Sequence, residues 1–333
     1  MAVKLGVTIG KIRLKNPVLV ASGTFGYGKE FETFFDLKKL GGIVTKTITL
    51  KSRPGNPPPR IVETPAGMLN AIGLANPGVE AFIKDKLPPL ARFKVPVIVS
   101  IMGYSVDELV RLSGRLEGAS GFDGIELNLS CPNVAYHGPA RVFAHDAGLI
   151  AQAVKAVRKK TRRTLIAKLS PDVSDIGAMA KAAEDNGADA VSLVNTFMGM
   201  KIDLKSRRPF LANKTGGLSG PCIRPIAVRM VWQARQRVRI PIIGIGGISA
   251  SGSSVDAALL SNAGISGATS GQTGFAQGTA ANATAQADQS PDAAKAAETG
   301  TGDDPEEQNK KKKGITLAAK VSRVTVLLPT KNN

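Results

Sequence analysis

The amino-acid sequence predicts an α/β fold, a TIM (β/α)8 barrel whose eighth-strand region and C-terminus are atypical or disrupted. From the N-terminus to about residue 249, short apolar runs rich in β-branched residues alternate with segments of helical spacing. Repeated βα units around a parallel sheet take this form. The runs are nearly continuous in apolar residues rather than alternating, as strands covered on both faces are. They also end in polar residues, and barrel enzymes keep their reacting groups at the C-terminal ends of the strands.

In chain order, VTIG and IRLKN at 7–10 and 12–16 suit a small hairpin plugging the barrel floor. Seven barrel strands follow at 17–21 (PVLVA), 42–47 (GIVTKT), 97–101 (VIVSI), 124–129 (GIELNL), 165–169 (LIAKL), 190–194 (AVSLV) and 242–245 (IIGI). Residues 148–160 and 176–186 have helical spacing between strands. No GxGxxG opens a helix after the first strand, so an open dinucleotide-binding sheet has little support.

Beyond Ile248 the composition shifts to Gly, Ala, Ser, Thr, Gln and Asp, followed by DDPEE and four lysines at 310–313. Such a segment buries little apolar surface. Residues 255–264 still resemble a barrel helix, but no convincing eighth strand follows, and closure requires one. The expected organisation is a barrel over 1–249 and an atypical low-complexity segment over 250–333, a pattern that a reading-frame shift near residue 250 would leave.

The remaining composition narrows the function classes. Two cysteines, Cys131 and Cys222, without CxxC spacing or clustered histidines, argue against structural zinc and a disulfide framework, and fit a reducing cytoplasm. No apolar run reaches the length of a membrane span and the start is not of signal-peptide type. The net charge of +18 is spread along the chain, which favours a solvated surface over a nucleic-acid site.

The strand exits carry the candidate chemistry: Ser22, Lys46, Thr47, Asn128, Ser130, Lys168, Asn195, Thr196, and the glycines Gly246 and Gly247. Any one of these could merely cap a strand. Together, two lysines at an apolar mouth suit an anionic or electron-rich group, and asparagines suit an amide-bearing ring. Gly246 and Gly247 permit close approach of backbone to a phosphate, although a glycine pair alone is a weak signal. GGLSG at 216–220 reads equally as a second such region or as an ordinary flexible loop. Cys131, on the polar loop NLSCPN at the same face, could serve as a base if its surroundings favour thiolate. Cys222 reads as a packing residue, and His137 and His145 as surface or loop residues.

The motifs ASGTFGYG (21–28), KTIT (46–49), GMLNAIGLANPG (67–78), ELNLSCPN (126–133), AKLSP (167–171), VNT (194–196), NKTGGLSGP (213–221) and GIGGI (244–248) occur in order over about three quarters of the chain. In these the sequence resembles the class 1 dihydroorotate dehydrogenases, specifically the catalytic subunit of the NAD-dependent subclass. The resemblance implies a flavoprotein oxidising (S)-dihydroorotate to orotate in de novo pyrimidine biosynthesis. It implies FMN held by Ser22, Lys46, Thr47, Asn128, Lys168, Val194, Gly220, Gly246 and Gly247. Dihydroorotate would be surrounded by Lys46, Asn70, Ala71, Ile72, Gly73, Leu74, Asn128, Asn195 and Thr196. Cys131 would remove the C5 proton while a hydride leaves C6 for the flavin.

The resemblance further implies a second subunit with FAD and a 2Fe-2S cluster that passes electrons to NAD, in a heterotetramer; this chain has no cysteine cluster for such a centre. Two departures stand out. Ser100 replaces an asparagine common near the flavin, so that role is not carried over, and the family's GT-containing eighth βα unit is replaced by the low-complexity segment. Two other readings remain: another FMN-barrel pyrimidine reductase, or an inactive basic remnant that binds nucleic acid.

Overall fold

The computed structural model describes residues 5–130, 141–248 and 324–328. The chain opens with an antiparallel hairpin, β1 (Val7–Ile9) and β2 (Ile12–Leu14), followed by β3 (Val18–Val20) and β4 (Gly42–Val44). β5 (Ile61–Thr64) and β6 (Gly67–Asn70) lead into α1 (Val79–Ala81), a π-turn over Phe82–Lys86, and α2 (Leu87–Ala91). Then come β7 (Val97–Ile101), α3 (Val106–Glu117), β8 (Gly124–Asn128), α4 (Arg141–His145), α5 (Ala147–Arg158), β9 (Thr164–Lys168), α6 (Ile176–Asp185) and β10 (Ala190–Leu193). An excursion of β11 (Phe197–Met200), β12 (Ile202–Asp203), β13 (Arg208–Pro209) and β14 (Thr215–Ser219) precedes α7 (Arg224–Arg237) and β15 (Ile242–Gly244); β16 (Val324–Leu328) comes last.

Eight strands close a barrel in the order β10-β15-β16-β3-β4-β7-β8-β9. All neighbours are parallel except β16, which runs antiparallel to both β15 and β3. All seven sequence-predicted strands are present. The sequence reading found no eighth strand, whereas the structure supplies one as VTVLL, close to the end of the chain and in reversed direction. A five-residue apolar run after a lysine-rich stretch carries no periodicity that separates strand from other states. The expected helix at 255–264 lies outside the described residues.

Strand alternation sorts the core into two shells. Val97, Val99, Leu165, Ala167, Val191 and Leu193 face outward to α3, α5, α6 and α7, which bury residues such as Leu109, Leu112, Ile150, Val154, Ala180 and Met230. The helices start where the sequence offers caps: Ser105 accepts from Glu108 N, Asp146 from Gly148 N and Asp175 from Ala178 N. Leu19, Val44, Ile98, Ile166, Ala190 and Ile243 point inward and pack on Ile9, Ile12 and Leu14. The hairpin therefore plugs the barrel floor, and the Lys11 N–H ties it to Thr164 Oγ1 at 2.9 Å. With the floor filled, the interior is open only at the C-terminal ends of the strands.

At that end β5, β6, β14 and β11 form a separate four-stranded antiparallel sheet in the order β11-β14-β6-β5. GGLSG is therefore not a flexible loop. Residues Thr215–Ser219 form a strand whose glycines are set by close packing: a Cβ on Gly217 would lie 2.0 Å from Thr196 Oγ1, and one on Gly216 2.6 Å from Leu211 Cδ1. Cys222 is exposed rather than packed, because the turn after β14 places it at the surface. His145 is exposed at the end of α4, and His137 lies outside the described residues.

Candidate active site

The open end of the barrel and the four-stranded sheet enclose a cavity of about 610 Å³, within the range of small-molecule and cofactor sites. From the barrel it is lined by Ser22, Lys46, Thr47, Asn128, Lys168, Val194, Asn195, Thr196, Gly246 and Gly247. Gly220, after β14, joins them, and Asn70, Ile72, Gly73 and Leu74 enter from β6 and the loop beyond it.

Ala71 does not line the cavity. It alternates away from Asn70 and is buried with Val62, Leu69 and Leu211. Its backbone is fixed on both sides, the N–H donating to Arg60 O at 2.7 Å and the carbonyl accepting from Asn56 Nδ2 at 3.0 Å. Cys131 lies outside the described residues.

A hydrogen-bond network orders the cavity floor. The Thr47 hydroxyl is 3.0 Å from both Ser22 Oγ and Ser100 Oγ, and accepts from Asn128 Nδ2 at 3.1 Å. The other side of Asn128 is held by Ser130, whose hydroxyl donates to Asn128 Oδ1 at 3.1 Å. Asn195 Nδ2 in turn donates to Ser130 Oγ at 2.9 Å, and Asn195 Oδ1 accepts from the Thr196 N–H at 2.8 Å. The exits of β3, β4, β7, β8 and β10 are thereby linked, which fixes the two asparagine side chains before a ligand arrives. Ser100, where an asparagine had been expected, is fully buried and serves as a partner of Thr47.

Gly246 and Gly247 have φ of +104° and +75°, a region side-chain-bearing residues rarely adopt. A Cβ on Gly247 would also lie 2.5 Å from Arg224 Cα. The pair turns the chain sharply at the exit of β15 and brings bare backbone to the cavity wall, the surface a phosphate needs. Burial, chiefly, holds the Lys46 ammonium below the ordinary lysine value; Glu30 opposes that shift and Arg60 adds to it.

The β5–β6 hairpin contributes lining residues that the sequence reading missed, among them Ile61, Glu63, Thr64, Pro65 and Met68. The available signal was the turn TPAG between two short runs, which only long-range pairing to β14 raises above a loop.

The family model for dihydroorotate dehydrogenase matches residues 4–282. The chain belongs to the dihydroorotate dehydrogenase family. It is 57% identical over 248 residues to the "Dihydroorotate dehydrogenase B (NAD(+)), catalytic subunit" of Desulforudis audaxviator, covering 74% of this chain and 80% of that protein. The proteins of the same name from Pelobacter propionicus and Trichlorobacter lovleyi are 56% and 55% identical over 243 and 244 residues, covering 73% of this chain and 79% and 80% of theirs. Dihydroorotate dehydrogenases are FMN enzymes, and the name "catalytic subunit" places these relatives in an assembly with another subunit. Among the described residues, no helix is long and apolar enough to cross a membrane.

Proposed function

We propose that this chain is the catalytic subunit of an NAD-dependent dihydroorotate dehydrogenase, oxidising (S)-dihydroorotate to orotate in the cytoplasm as a step of de novo pyrimidine biosynthesis. The observation that carries this reading is the ordered pair Asn128 and Asn195, held by Thr47, Ser130 and Thr196 beside Lys46 and Lys168 in one cavity. An amide-bearing, anionic six-membered ring meets amide donors, amide acceptors and cationic groups there.

The donor set also fits FMN. Gly220, Gly246 and Gly247 offer backbone for the phosphate, Ser22 and Thr47 offer hydroxyls, and Lys46 and Lys168 offer positive charge to the electron-rich edge of the ring; Val194 supplies apolar contact. When bound, FMN supplies the two-electron acceptor for the oxidation at C6. Lys46, Asn70, Ile72, Gly73 and Leu74 bind and orient dihydroorotate together with Asn128, Asn195 and Thr196; Ala71 anchors that segment through its backbone bonds to Arg60 and Asn56 and makes no contact with the cavity. Cys131, directly after the Ser130 that orders Asn195, takes the proton from C5. Its loop follows β8, whose exit faces the cavity.

The electrons reach NAD through a partner carrying FAD and a 2Fe-2S cluster, in a heterotetramer. Such a cluster needs four thiolate or imidazole ligands, and the chain holds two cysteines and two histidines spread over its length. The barrel over 1–249 carries the site, and 250–333 is a separate sequence region that returns β16.

The test is a visible absorption spectrum of the purified chain, with FMN supplied, before and after anaerobic addition of dihydroorotate. Flavin bands that bleach support the assignment, and Cys131→Ala is expected to keep the bands but abolish rapid bleaching. Bands that bleach with dihydrouracil-type substrates alone would favour a different pyrimidine reductase. A flavin-free chain with strongly salt-dependent DNA binding would favour the basic remnant.

A further inference from the structure

Among the described residues, only Glu126 and Lys168 are charged and fully buried, with exposures of 1% and 4%. They have opposite signs and lie on adjacent strands of the barrel. Glu126 belongs to β8, where alternation turns it inward with Asn128, and Lys168 lines the cavity from β9. In register, Glu126 is opposite Ile166 and Asn128 opposite Lys168, so the carboxylate starts one interior layer beneath the lysine.

The route of the Glu126 side chain brings the charges closer. Its Oε2 accepts from Ser192 Oγ at 3.0 Å. Ser192 is on β10, and β9 lies between β8 and β10. Adjacent strands are about 4.8 Å apart, so a bond between β8 and β10 side chains must cross the inner face of β9. The inward residues of β9 there are Ile166 and Lys168, and Lys168 is the register partner of Ser192. The carboxylate therefore passes under the lysine. Its Oε1 accepts no hydrogen bond from the protein, an arrangement that is costly for a buried anion without a compensating charge.

We propose that Glu126 is the counter-charge of Lys168, a positioning residue beneath the cavity that keeps the lysine protonated and aimed at the ligand. The effect on Lys168 stands independently of what the cavity binds; its consequence for flavin rests on the FMN reading above. The inward groups packed around Glu126 from β7, β9 and β10 are otherwise neutral: Ile98, Ser100, Ile166, Ala190 and Ser192. The remaining charged groups at the cavity are Lys46 and Glu63, with Glu30 and Arg60 acting on Lys46. A buried lysine without a neighbouring anion has its pKa lowered by desolvation, and a nearby anion reverses that.

The experiment is an NMR titration of the flavin-free protein labelled at lysine Cε, with the Lys168 signal assigned by its loss in Lys168→Arg. Glu126→Gln, which preserves shape, is expected to lower the Lys168 midpoint by about one unit or more, a tenfold loss in proton affinity, and Glu126→Asp by less. Should Glu126→Gln fail to fold, Glu126→Met, which fills the same space without charge, gives the same reading at Lys168. A Lys168 midpoint unmoved by Glu126→Gln, or by Glu126→Met where only that variant folds, overturns the proposal. Failure of wild-type protein to take up FMN would overturn the flavin assignment alone, since the lysine titration needs no flavin.

Discussion

Lys46 shows how one side chain converts burial into a pH limit. Removal from water favours its neutral form, and Glu30 partly restores the charge. Because its folded-state pKa lies below the ordinary 10.5, the folded chain binds fewer protons than the unfolded chain between those two values. Its contribution to stability therefore becomes more favourable as pH rises through that window. Binding of an anionic substrate runs the opposite way, since it needs the ammonium. The KM for dihydroorotate is expected to rise on the alkaline side, starting below the pH of an ordinary lysine. Glu30→Gln should bring that rise to lower pH, and a KM profile identical to wild type would exclude the coupling. Thr47 is the second pivotal residue, because Ser22, Ser100 and Asn128 share its hydroxyl. Thr47→Val keeps the shape but leaves buried partners unsatisfied, at a cost of about 1–3 kcal/mol in denaturant unfolding. Thr47→Ser should recover most of it; equal losses in both variants would point to methyl packing instead.

At the scale of elements, legibility followed periodicity. The floor hairpin, the seven parallel strands and helices α5 and α6 could be read because apolar runs and helical spacing reflect burial on known faces. The exits of those strands gave Ser22, Lys46, Thr47, Asn128, Lys168, Asn195 and Thr196, which line one cavity because barrel geometry sends them to one end; the lining residues from β5, β6 and the loop after β6 have no such exit to mark them. Ala71 could not be separated from Asn70 and Ile72 within one motif, since only the strand's pairing shows that it points into the Leu69 and Leu211 cluster. β14 was illegible for a related reason: glycines at 216 and 217 look like a loop until the neighbouring chains are present. Those glycines make a direct prediction. Gly217→Ala puts a methyl within 2.0 Å of Thr196 Oγ1, so the Thr196 side chain must shift from its place in the cavity wall. A displacement of this size is expected to lower kcat/KM by on the order of 10–100-fold, with FMN content near wild type because the glycine pair at the exit of β15 is untouched. Wild-type kinetics in this variant would remove Thr196 from the substrate site.

For the molecule as a whole, the decisive feature is closure by β16. Seven parallel strands leave two open edges, on β15 and β3, and an unpaired edge exposes backbone donors and acceptors that invite association with other chains. β16 satisfies both edges at once: Ile242 pairs with Leu328 on one side and Val20 with Val324 on the other. It runs from the mouth of the barrel to its floor, opposite to the other seven, as its register requires. The sequence could not reveal this partner because closure depends on a segment about 80 residues beyond β15 with no local signature of its role. A chain ending at residue 323 is expected to keep its helices but lose about 3 kcal/mol, lowering Tm by roughly 6–12 °C, and to self-associate through the freed edges. The loss should fall unevenly within the site. Gly246 and Gly247 leave β15, one of the two strands that β16 flanks, whereas Asn128 and Lys168 sit on β8 and β9 across the barrel. The shortened chain should therefore lose affinity for FMN more than it loses the Thr47–Asn128 network, measured as a raised Kd for FMN against an unchanged Lys168 titration. An unchanged Tm and FMN Kd would mean that β15 and β3 hold their positions without β16.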